Sequence, residues 1–152
     1  MTSQGPGQVL FSLVRHWSRR PPLGDPGVEQ GRLVLVSEAV HSLSRRGVSA
    51  TVNAVAHEIG IDQSGASRLI KSATAAGYLV MAASAADGRR REASLTPAGG
   101  SMLDQAHHWQ EEIFDRLTAG WSEKRRRDLQ QAMTDLMDRS YAMDARATPT
   151  DR

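Results

Sequence analysis

Apolar residues recur at three-to-four spacing at Val9, Leu10, Leu13, Val14 and Trp17, which predicts an amphipathic first helix that stops at Arg20. Residues 21–27 hold three prolines and two glycines and read as a loop, because proline lacks an amide donor and restricts the residue before it. Leu33, Val36, Val40 and Leu43 share one face of a second helix over about 30–44, ended by the cations Arg45 and Arg46 and by Gly47. Two short helices follow at about 51–59 and 63–75, with Thr51 and Asp62 as N-caps and Gly60 between them. After Gly77 the period shortens: Tyr78 to Met81 and a run ending at Ala93, Ser94 and Leu95 flank Asp87 and Gly88, which predicts a β-hairpin. Thr96 and Pro97 open a long helix with Met102, Ala106, Trp109, Ile113 and Leu117 along one side. Gly120 interrupts it, Ser122 caps a last helix carrying Leu129, Met133, Leu136 and Met143, and residues 144–152 read as a flexible tail. The fold class is mainly α with one small β-hairpin.

Val55, Ala56, Ile59, Ile61, Ala66 and Leu69, with Gly60 among them, have the spacing of a helix-turn-helix. Ala56 is small enough for the second helix to cross close to the first, and glycine takes a positive backbone dihedral at little cost. Two packed helices with a glycine turn also occur in proteins that never meet nucleic acid. The face left over is more informative. Gln63, Ser64, Ser67, Arg68 and Lys71 can all donate hydrogen bonds and none is negative. Such a face suits a DNA major groove, where Gln pairs with adenine and Arg with guanine, each good bidentate contact giving roughly 1 to 3 kcal/mol of discrimination. Its alternative is a solvated polar face, which would carry mixed charge. Arg89, Arg90 and Arg91 follow the hairpin turn and suit a narrow minor groove; the alternative there is an edge hairpin kept soluble by charge.

At 152 residues, with 39% hydrophobic and 24% charged residues, the chain suits one domain with one ordinary core. The absence of cysteine excludes disulfides, thiolate metal sites and cysteine nucleophiles. No apolar run reaches a membrane span, and the polar first seven residues lack the layout of a secretory signal, so a cytoplasmic location is expected. Of 19 Lys and Arg only Lys71 and Lys124 are lysines. Bases outnumber acids six to four over residues 1–61 and five to three over 62–96, whereas acids lead ten to eight over 97–152, so the positive field belongs to the first two-thirds. The five histidines show no metal-ligand spacing, His107 and His108 pointing about 100° apart on a helix, and no metal or cofactor is expected. Glu111 and Glu112 diverge in the same way and no nucleophile has a base beside it, so the chain is read as not an enzyme. The run Lys124 to Arg127 at the start of the last helix, where its charge opposes the helix dipole, reads as a solvated face, with a contact to flanking DNA as the alternative.

From Thr51 to Gly99 the sequence resembles the winged helix-turn-helix of MarR-family transcriptional regulators, on Asp62, Ser64, Ser67, Arg68 and Leu69 in the second helix, Gly77 before the first strand, Asp87 and Arg89 at the wing, and Leu95, Thr96 and Gly99 after it. With the flanking helices the resemblance spans about 9–143. It implies a DNA-binding lobe over 48–96, dimerisation helices at 9–46 and 97–143, and an obligate homodimer that acts as a repressor on a pseudo-palindromic double-stranded DNA operator. It also implies that residues 63–71 read the major groove, that Arg89 enters the minor groove, and that Asp87 steadies a nearby arginine. Trp17, Trp109, Phe114 and Trp121 on the flanking helices support a dimer independently, since a lone chain of this length would struggle to cover them. The resemblance further implies release by a small aromatic or phenolic anion, for which Arg15, His16, Trp17 and His41 are the candidate lining. Ala73, Thr74, Ala76 and the alanines of 82–86 depart from the family pattern, and nothing in the sequence accounts for Gly65 inside the recognition helix. The competing class is a non-enzymatic protein-interaction module built on the same winged-helix dimer.

Overall fold

The structure is a computed structural model, and it describes residues 4–18, 26–85 and 87–147. Six helices and one hairpin follow in the order α1 (Pro6–Trp17), α2 (Pro26–Arg45), α3 (Val52–Ile59), α4 (Gln63–Ala75), β1 (Leu79–Ala83), β2 (Arg91–Leu95), α5 (Pro97–Leu117) and α6 (Glu123–Ala147). They form two compact units, 1–106 and 107–152. Among the described residues no helix is long and apolar enough to cross a membrane.

The local signals act where the sequence puts them. Thr51 Oγ1 accepts from the Ala54 amide at 3.1 Å and Asp62 Oδ1 from the Gly65 amide at 2.9 Å, so α3 and α4 start on the expected caps. Gly60 ends α3 with φ 78°, and its amide bonds to the Ala56 and His57 carbonyls. Ser122 Oγ accepts from the Arg125 amide at 3.2 Å and opens α6. Two boundaries differ from the sequence reading. Helix α2 begins at Pro26, not near residue 30, because proline is tolerated in a first turn whose amide has no intrahelical partner; residues 21–25 of the expected loop lie outside the described residues. Helix α6 runs to Ala147, four residues into the expected tail, and 148–152 lie outside the described residues.

The core of the first unit joins Leu33, Val36, Val40 and Leu43 of α2, Val55 and Ala56 of α3, Ala66, Ile70 and Ala73 of α4, and Leu79 and Ala93 of the hairpin. Helix α2, expected among the dimerisation helices, therefore spends its apolar face on the lobe. The strands are antiparallel, with Leu79 opposite Leu95 and Met81 opposite Ala93 on the inward side, the alternation a half-buried hairpin requires. The Ala93 amide also bonds to the Ala50 carbonyl at 2.9 Å, which ties β2 to the chain entering α3. Arg46 Nη2 meets Glu58 Oε2 at 2.5 Å, and Ser42 Oγ donates to Glu58 Oε1 at 3.2 Å, so α2 and α3 are also pinned at their polar edge.

In the second unit the basic run at the start of α6 is engaged locally. Lys124 pairs with Asp128 at 2.6 Å, Arg125 lies over the Trp121 ring at 3.6 Å, and Arg126 pairs with Asp115 and lies over Phe114. These neighbours offset charge that would otherwise oppose the helix dipole.

Candidate nucleic-acid interface

Helix α4 carries the candidate reading face. Ala66, Ile70 and Ala73 point into the core, which turns Gln63, Ser64, Arg68 and Lys71 outward and exposed and leaves Ser67 half-buried. None of these five is paired with a carboxylate among the described residues. The C-terminal end of α4 is fixed to the wing, because the Tyr78 amide bonds to the Ala73 carbonyl at 2.9 Å and Leu79 enters the same core as Ile70.

Arg89 and Arg90 occupy the turn between the strands and Arg91 begins β2, all exposed. Asp87 acts on the backbone: its Oδ1 accepts from the Arg89 amide at 3.1 Å and its carbonyl from the Arg90 amide at 3.0 Å. Asp87 thus makes a side-chain-to-backbone turn, and the Arg89 guanidinium has no partner among the described residues. Arg91 Nη2 approaches the Met81 carbonyl at 3.4 Å across the hairpin.

A cleft of about 940 Å³ opens beside α4. Trp17 and Ser18 at the end of α1 line it, with Val28, Glu29, Arg32 and Leu35 from α2. Ile59 and Ile61 add apolar wall from the turn, and Asp62, Gly65, Arg68, Leu69 and Ser72 complete it from α4. Of Arg15, His16, Trp17 and His41, the candidate ligand lining, Trp17 borders this cleft. Arg15 faces a separate shallow surface on α1, His16 is exposed and edge-on to Trp17 at 5.6 Å, and His41 lies on another side of α2, outside the cleft lining. Positions 28, 31, 32 and 35 form one stripe of α2 and 65, 68, 69 and 72 one stripe of α4, of which Leu69 also packs against the core.

The histidines and acids of the long helices form no cluster: His108 faces Glu112 at 3.4 Å and Asp115 is held by Arg126. Among the described residues no three of His, Asp and Glu gather as metal ligands would.

A helix-turn-helix whose second helix presents unpaired donors, followed by an arginine-tipped hairpin, defines a winged-helix fold, and its helix order is that of MarR-family regulators. The solved structure of MarR matches with TM-score 0.68 at 20% identity, covering 96% of this chain and 98% of that one. BpsR of Bordetella bronchiseptica, whose DNA binding is regulated by 6-hydroxynicotinic acid, matches with TM-score 0.58 at 19% identity over 91% of this chain and 96% of that one. MepR of S. aureus bound to ethidium bromide matches with TM-score 0.54 at 18% identity over 86% and 93%. No family model and no curated protein sequence matches the chain.

Proposed function

We propose that this protein is a homodimeric, sequence-specific double-stranded DNA-binding transcriptional regulator that acts as a repressor and binds rather than catalyses. The observation that carries the reading is the exposed, uncompensated donor face of α4, mounted on the same core as an arginine-tipped wing. Gln63 and Arg68 are the base readers, Ser64, Ser67 and Lys71 reach phosphates, and Arg89, with Arg90 and Arg91 beside it, enters the minor groove. Helices α1 and α6 bury no residue of their own and expose Leu10, Leu13, Leu136 and Met137, the surface expected of a symmetric partner contact. Two recognition helices roughly 34 Å apart would then require an inverted-repeat operator. The cleft beside α4 is the place for a small aromatic or phenolic ligand that relieves repression; the regulation of BpsR by 6-hydroxynicotinic acid supports that expectation by likeness of fold.

The deciding experiment is capture of fragmented genomic DNA by the purified protein at two salt concentrations, followed by sequencing. Enrichment of one inverted repeat at both salts is expected, and diffuse salt-sensitive binding or none would defeat the reading. Arg89→Ala should weaken binding to the enriched fragment and flatten the dependence of log affinity on log salt by about one unit per wing, with an unchanged circular dichroism spectrum. An unchanged affinity and slope would remove the wing from the interface. The alternative, a protein-interaction module, draws on the wing's apolar side, where Val80 is exposed and Ala82, Ala83 and Ala85 follow it. Absence of any enriched sequence would favour it.

A further inference from the structure

The helix that carries the donor face begins on an acid. Asp62 is exposed at the N-cap of α4, directly before Gln63, and its Oδ1 accepts from the Gly65 amide at 2.9 Å. The second oxygen, Oδ2, has no partner among the described residues, and no cation there lies within ion-pair distance of the carboxylate. Glycine at 65 suits this seat, since a Cβ would stand 2.7 Å from Oδ1 and 3.9 Å from Cγ and would crowd the carboxylate.

Capping alone does not call for a charge. Ser and Asn cap a helix as well as Asp does, and Thr nearly as well. The chain itself uses hydroxyls for the same task, Thr51 before α3, Thr96 before α5 and Ser122 before α6. Among these caps the acid stands at the helix start that meets DNA, where a carboxylate opposes the attraction between the donor face and the phosphates. It also makes this helix end unsuited to an anion.

A carboxylate in a major groove is tolerated where a donor meets it, and the N-terminal residues of a recognition helix are the ones that reach base edges. Guanine and thymine present acceptors there. Adenine presents an amino group with the N7 acceptor beside it on the same base, whereas cytosine presents its N4 amino group with no acceptor of its own.

We propose that Asp62 is a specificity-determining residue of the DNA interface, its Oδ2 accepting from the N4 amino group of one cytosine in each half-site while Oδ1 stays on the Gly65 amide. The inference rests on the reading of α4 as the recognition helix. It adds to Gln63 and Arg68 a reader that works by rejection, because any other base leaves the carboxylate against an acceptor or unpaired. On unrelated DNA the same charge is repulsive, so Asp62 lowers non-specific affinity as it sharpens the choice of site.

The test uses the full chain and duplexes in which each base pair of the enriched inverted repeat is randomised in turn, the bound sequences being counted. One C·G position per half-site, distinct from the pair whose preference changes in Arg68→Gln, should be favoured about tenfold to hundredfold over the other pairs. Asp62→Asn and Asp62→Ser both keep an acceptor for the Gly65 amide, and urea midpoints check that the cap survives. Asp62→Asn exchanges the free oxygen for an amide donor, so the preference at that position should move from cytosine to a base presenting an acceptor. Asp62→Ser should flatten the preference there to within about twofold and raise affinity for unrelated DNA about twofold to fivefold at low salt. A residue that only caps the helix would change affinity for every duplex by one factor. The inference is overturned if that uniform change is what Asp62→Ser shows, if both variants keep the base preferences of the unaltered protein, or if the unaltered protein favours no such C·G position. Should Asp62→Asn fail to fold, Asp62→Ser decides alone. Failure of the unaltered protein to bind any DNA fragment is a different result, and it overturns the regulator reading on which the inference stands.

Discussion

Two glycines of the first unit, Gly99 and Gly65, have opposite structural reasons. A Cβ on Gly99 would lie 2.1 Å from the Tyr78 carbonyl oxygen and 3.1 Å from Leu95 Cδ2, so the first turn of α5 reaches the hairpin only because residue 99 has no side chain. Around it Thr96 accepts the Gly99 amide at 3.0 Å, donates to the Gly77 carbonyl at 2.5 Å, and gives its own amide to Tyr78 at 3.0 Å. Backbone cannot rotate away as a side chain would. Gly99→Ala should therefore lower stability by about 1 to 3 kcal/mol, measured from urea midpoints, and an unchanged midpoint would contradict the packing described. Gly65 meets a side chain instead: a Cβ there would stand 2.7 Å from Asp62 Oδ1, the oxygen that caps α4. Alanine should gain about 1 kcal/mol of helix propensity and forfeit a cap of about the same size, for a net change near zero. In an Asp62→Ala background the same substitution should stabilise by about 1 kcal/mol, and failure of that coupling would leave Gly65 without its explanation.

At the scale of elements, the link between α2 and α3 is a polar one laid over an apolar core. Glu58 takes Arg46 on one oxygen and Ser42 on the other, with the two side chains of the ion pair 33% and 18% exposed. Partial burial keeps screening incomplete, so Glu58→Gln should cost about 1 kcal/mol at low salt and less as salt is raised. A cost independent of salt would mean that hydrogen bonding alone carries the link. The same helices show which features the sequence made legible. Caps, glycine turns and stripes act over four residues or fewer, so α3, α4 and the hairpin could be read from Thr51, Asp62, Gly60 and the alternation about Leu79 and Ala93. The start of α2 could not, because Pro26 serves as well inside a first turn as before it. The cleft was less legible still. Arg32 and Leu35 on α2 and Arg68 and Leu69 on α4 can each be placed on a stripe from spacing, but which stripes face each other depends on how close Ala56 and Ala66 let the helices pack. Pairing across sequence in this way has no local signal.

For the whole molecule, the unresolved demand is the apolar surface that the chain leaves uncovered. Phe11 is 70% exposed on α1 and Met143 70% on α6, and neither helix has a buried residue. Single exposed apolar residues are ordinary, but stripes recurring at helical spacing along two helices are more than solubility tolerates in a monomer. If a second copy covers them, Leu13→Glu and Leu136→Glu should each move the sedimenting species from twice 16.6 kDa toward 16.6 kDa at micromolar concentration, while Ser67→Ala leaves it unmoved. A separated protomer reaches one half-site at a time, so its affinity for the enriched inverted repeat should fall by about a hundredfold or more, the avidity that linkage of two sites supplies. The two readouts answer different questions. A monomer that keeps full affinity would place recognition in one lobe and dispense with the inverted repeat; an unchanged mass in both variants would mean that these stripes are not the dimer contact, and that the spacing of the recognition helices must be set by another surface.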